Sequence, residues 1–212
     1  MACTIIRSQR TDAEARRDAG VIRQDVRQAA TIDHKEKTMN ITTMRFPRQL
    51  EAEGTVDIIR GALLARTATL WTGGAIEVPV ITPTEPLKTA LQRARRQGRV
   101  RVGLEAILHK LAGEHKGIAH VKAHTDTPYG DRMSRLLFVS DDGTERFYRH
   151  IEQLLEAHAP RLLCCRLTID GNALGSLVTG KEGTIKVVMA EHKDSVSDIL
   201  RALVAGQEGM AE

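Results

Sequence analysis

Hydrophobic positions along this 212-residue chain follow two periods, and the switches between them predict its elements. Val56, Ile59, Leu63 and Leu64 fall at helical spacing, so residues 55–65 read as a short helix. Residues 68–72 and 76–81 are β-prone runs separated by Gly73-Gly74, which predicts a hairpin. Pro79 inside the second run predicts an edge strand, because proline has no N–H for a ladder. Pro86 suits the first turn of a helix whose apolar face is Leu87, Ala90, Leu91 and Ala94, with Gly98 as its stop. Val100, Leu104, Ile107 and Leu111 form the face of a second helix ending at Gly113, so residues 86–113 read as a helical hairpin.

Further along, residues 118–124 alternate as a strand does, and Pro128 and Gly130 mark a loop. Residues 136–139 form a short buried strand, followed by the turn Asp141-Asp142-Gly143. Phe147, Ile151, Leu154 and Leu155 mark a helix stopped by Pro160. A strand over 162–169 comes next, a turn at Asp170-Gly171-Asn172, a strand over 184–189, and a last helix capped by Ser195 and Asp198. From Leu136 on, the order is β-α-β-β-α. The fold class is therefore α+β, with helices packed on one face of a mostly antiparallel sheet.

Residues 1–38 break this patterning. They are rich in Arg, Asp, Gln, Ala and Thr, and Val21, Ile22 and Val26 are the few apolar positions on a helix proposed for 12–30. Residues 1–43 therefore read as a flexible or weakly helical extension, with Met39 or Met44 suited as an alternative start. The remainder divides into a helix, hairpin and basic part at 44–116, an α+β part at 117–206 and a tail at 207–212. No apolar run reaches membrane-spanning length, and three cysteines, two of them adjacent, imply no disulfide framework. A cytoplasmic protein without membrane association is the expectation.

Charge changes the picture at one place. Between Lys88 and Lys116 there are eight basic side chains and two acidic ones, a balance of +6, against +4 for the whole chain. The basic character belongs to that segment. On the first helix Lys88, Arg95 and Arg99 share one flank with Arg96 beside them, and Arg101 follows. Guanidinium groups held on a rigid element match phosphate oxygens, and counterion release adds salt-dependent affinity. Nucleic acid or another polyanion is the expected partner, through Lys88, Arg95, Arg96, Arg99 and Arg101. Aromatic residues are only 3 %, and none falls within the segment, so base stacking is not expected. A helix-turn-helix is disfavoured because Gln97 and Arg99 flank the glycine where apolar residues should pack.

Other candidates are weaker. On a strand, His120, Lys122 and His124 line one side with Asp126 past its end, the beginning of a metal site at His120, His124 and Asp126. The Lys122 ammonium between them opposes a cation, and a further ligand from His150, Glu152 or His158 depends on the fold. Residues 175–182 approach a phosphate-binding loop, but Glu182 replaces the hydroxyl and a β-prone run follows where a helix should. Cys164 and Cys165 face opposite ways on a strand and read as structural thiols. No motif specifies a cofactor. The chain reads first as a polyanion-binding, nucleic-acid-associated regulatory or accessory protein. A small enzyme acting on an anionic substrate and a subunit of a protein assembly, including a homo-oligomer, are the alternatives.

Overall fold

The computed structural model describes residues 41–124 and 131–208. The helix proposed for 12–30 lies outside the described residues. Thirteen elements follow in order: α1 (Arg48–Ala52), α2 (Val56–Leu64), β1 (Thr67–Thr69), β2 (Glu77–Ile81), α3 (Glu85–Arg96), β3 (Val100–Val102), α4 (Leu104–His124), β4 (Arg135–Val139), α5 (Glu145–His158), β5 (Leu162–Leu167), α6 (Gly171–Thr179), β6 (Val187–Ala190) and α7 (Lys193–Glu208).

The six strands form one mixed sheet in the order β1-β2-β5-β4-β6-β3. β2, β5 and β4 run parallel, and the other three pairings are antiparallel. The fold is α+β with helices packed on this sheet. Strands from both halves of the sequence share it, since β2 pairs with β5 and β3 with β6. Residues 136–139, 162–165 and 187–190 are buried without alternation. Continuous apolar runs of this kind need cover on both faces. The helices accordingly form two groups: α7 packs on α2 and α3, and α3 on α6, while α4 and α5 pack on each other. An arrangement with helices on one face is thereby corrected.

Local chemistry sets the boundaries. α3 buries Leu87, Leu91 and Ala94, as its spacing predicts. Each fully buried leucine contributes about 1.5–3 kcal/mol relative to exposure. Gly98 ends the helix with φ at +68°, a conformation glycine adopts without a Cβ penalty. The expected hairpin forms as β1 and β2. β2 is nevertheless internal: its parallel pairing with β5 begins at Val80, directly after the residue that lacks a donor. Trp71 anchors the connection, its Nε1 donating to Glu152 at 2.7 Å while Arg149 stacks on its ring.

Four further expectations change. The second helix of the hairpin is preceded by β3, so the chain runs helix, strand, helix. The strand expected at 118–124 is the last part of α4. Leu104, Ile107, Leu111, Ile118 and Val121 continue one helical stripe, and Gly113 does not interrupt it. The turn at 170–172 starts α6: Asp170 caps it, its side chain accepting from the Ala173 N–H at 2.7 Å. The carboxyl-terminal order is thus β-α-β-α-β-α. α7 begins at Lys193, leaving Ser195 buried inside its first turn and not at the cap.

Candidate functional site

The basic segment is displayed unevenly. Arg93, Arg95 and Arg96, in the last turn of α3, are exposed, and among the described residues no carboxylate pairs with them. Lys88, one end of the proposed patch, pairs with Glu85 at 2.5 Å. Arg99 lies 3.7 Å from Asp194. Arg101 is on β3, where it binds Glu191 through two nitrogens, with Nη2 to Oε1 at 3.0 Å. The five predicted residues therefore separate into an exposed, unpaired pair, Arg95 and Arg96, and three that already hold acidic partners. Arg93 joins the exposed group. Its solvent-facing position follows from the helical period.

A second basic site is assembled by tertiary structure. β4 and β5 begin at the same edge of the sheet, with Arg135 opposite Leu162. β6 ends there, because Leu136 and Val100 both lie opposite Ala190. A cavity of about 560 Å³ at this edge is lined by Arg45, Arg48, Arg132, Arg135, Arg161 and Lys193. Two acids, Asp131 and Asp194, also line it. Arg45 binds Asp131, and Arg132 binds Glu51 at 2.6 Å. Arg135 and Arg161 share one carboxylate, Glu114, at 2.7 and 3.1 Å. Burial raises the Glu114 pKa, but the hydrogen bonds and charges of Arg135 and then Arg161 outweigh it, so the group lies below the ordinary glutamate range. Arg48 and Lys193 are exposed and have no carboxylate partner among the described residues. None of these six cations is in the segment singled out by local charge. They are spread from residue 45 to residue 193, and no spacing in the sequence connects them.

The remaining candidates are placed as follows. His120 and His124 share a face of α4 one turn apart, with rings 4.4 Å between centroids and His124 Nδ1 2.7 Å from the His120 carbonyl. Lys122 leaves that face, since two residues along a helix is about 200° of rotation. Asp126 lies outside the described residues. Among the described residues no group of three or more His, Cys, Asp or Glu is placed to hold a metal ion. His150, Glu152 and His158 are on α5; Glu152 serves Trp71, and His158 packs edge-on against His115 at 5.9 Å. Burial, then His115 and Arg161, hold the His158 pKa below the ordinary value.

Residues 175–179 of the phosphate-loop-like stretch are helical, and Gly180 terminates α6 with φ at +68°. The stretch therefore forms no cradle of loop amides. Cys164 and Cys165 are fully buried free thiols, and burial pushes both pKa values up, which suppresses thiolate chemistry. Among the described residues no helix is long and apolar enough to cross a membrane. No protein-family model matches the chain, and no curated protein matches it significantly.

Proposed function

We propose that this chain is a polyanion-binding accessory protein, with nucleic acid as the first candidate partner, and that the end of α3 is its contact surface. The observation that carries this reading is the exposure of Arg93, Arg95 and Arg96 on one helical turn without carboxylate partners among the described residues. A rigid helix presents these guanidinium groups together, so little backbone ordering opposes contact. Phosphates would replace loosely held counterions around them. Arg99 continues the surface beyond Gly98, but its contact competes with Asp194. Arg101 competes with its bidentate Glu191 partner and contributes least. Lys88 sits about two turns away, beside Glu85.

Without aromatic groups on this surface, the expected binding follows backbone charge and not base identity. The test is fluorescence anisotropy of a labelled 20-mer duplex, about 20 base pairs being ample for one contact patch, over about 50–200 mM salt. Log affinity should fall linearly with log salt. Replacing Arg93, Arg95 and Arg96 together by alanine should reduce the slope by roughly 2–3, about 0.9 for each lost phosphate contact. Equal slopes for the two proteins, or no salt-sensitive binding, would exclude this surface.

A further inference from the structure

We infer that the cavity at the starting edge of β4 and β5 binds a small molecule bearing a compact di- or polyphosphate group. The proposal does not rest on the α3 surface, which meets this cavity only at the Arg99–Asp194 pair. Six cations from four separated stretches of chain converge on the cavity, against two acids. Like charges gathered on one concave wall repel, and a fold that gathers them is relieved by a bound anion. Internal pairing falls short of relieving it. Asp131 is engaged by Arg45 and Glu51 by Arg132, while Asp194 lies 3.7 Å from Arg99, a residue outside the cavity lining. Glu114 serves both Arg135 and Arg161, whose side chains are each only 15 % exposed. Arg48 and Lys193 are left over.

The first turn of α7, which carries Lys193, adds the positive end of a 16-residue helix.

Geometry and size select the ligand class. The guanidinium and ammonium groups approach from different elements: the segment around α1, the entries to β4 and β5, and the start of α7. Tetrahedral phosphate oxygens can meet donors from several directions, whereas a carboxylate presents its acceptors in one plane. At about 560 Å³ the space exceeds what one phosphate needs and falls in the range of small-molecule sites. Pro47, Ile118 and Met133 give part of the wall an apolar lining for an organic portion.

Isothermal titration of the full chain with sodium pyrophosphate, at ionic strength held constant with sodium chloride, tests the assignment. One saturable site with a Kd below about 1 mM is expected. Arg48 and Lys193 are exposed, so removing them spares the fold. Arg48→Ala combined with Lys193→Ala should weaken binding about tenfold or more, with the ligand-free melting temperature unchanged. The triple alanine variant of α3 should bind pyrophosphate as the parent does. Absence of a saturable site overturns the proposal, as does equal binding by the Arg48 and Lys193 variant. Tighter binding of citrate than of pyrophosphate would refute the phosphate assignment. Loss of binding in the α3 variant would move the anion to that surface.

Discussion

Glu114→Gln probes a carboxylate that meets three cations. In the native protein its two oxygens accept from Arg135 Nη2 at 2.7 Å and from Arg161 Nη2 at 3.1 Å, and Lys110 lies 3.6 Å away. The Glu114 side chain is 13 % exposed. Replacing it by an isosteric amide keeps one acceptor and the packing but removes the charge. Two largely buried guanidinium groups are then uncompensated. Breaking a fully buried pair costs about 3–5 kcal/mol. Residual solvent access and the remaining acceptor reduce this to about 2–3 kcal/mol. For a unit of this size each kcal/mol moves the melting temperature by about 2–4 °C, so the variant should melt roughly 5–10 °C lower.

The pH dependence carries a sign of its own. Arg135 and Arg161 hold the folded pKa of Glu114 below the ordinary 4.5. Its contribution is therefore complete above pH 4.5 and is lost as pH falls through the folded value. The stability gap between parent and Glu114→Gln should be constant at neutral pH and close in acid. Calorimetry and urea denaturation across pH 3–7, with pH values set about one unit apart, measure it. A loss under about 0.5 kcal/mol, or a gap that widens in acid, would refute the account.

Two other substitutions test the packing around the strand ends. The Tyr148 hydroxyl donates to the Ser140 carbonyl at 2.8 Å and accepts from the Gly143 N–H at 2.9 Å, closing the turn after β4. Tyr148→Phe leaves both backbone groups short of a partner and should cost about 1–2 kcal/mol in urea denaturation; a change within error would show that the turn closes without it. Gly175 lies where an added Cβ would stand 1.8 Å from the Gly183 carbonyl oxygen. Gly175→Ala must therefore push the 180–185 connection off α6, with a cost of about 1–3 kcal/mol and faster hydrogen exchange at Ile185, whose N–H bonds the Gly171 carbonyl; unchanged exchange would contradict this contact.

The elements legible from sequence were those whose period is reinforced by punctuation. α3 has Pro86 before its apolar face and Gly98 after it, and β1 and β2 flank Gly73-Gly74. Misreadings occurred where a short segment satisfied both periods. Residues 118–124 alternate locally, yet Ile118 and Val121 also extend the α4 stripe, and a helix already nucleated at Leu104 adds one hydrogen bond for each residue it orders. Val100 is a core position in either reading, so its burial could not distinguish strand from helix; pairing with β6 decides it. α6 was hidden because glycines at its start and middle suggest loops. They are present because Lys186 and the Gly183 carbonyl press against them.

By itself the sequence determined the α+β class, most of the apolar core and the exposure of the arginines on α3. All three follow from local periodicity, which a helix or strand converts directly into a buried and a solvent-facing side. Only the tertiary structure decided which cations share a site. Arg45, Arg48, Arg132, Arg135, Arg161 and Lys193 carry no common spacing. They meet because parallel β4 and β5 start at one edge, where antiparallel β6 ends and α7 begins. Local charge density located a helix face. The cavity, and the sharing of Glu114 between two arginines, arose from strand order, which is set by long-range pairing and leaves no periodic mark along the chain.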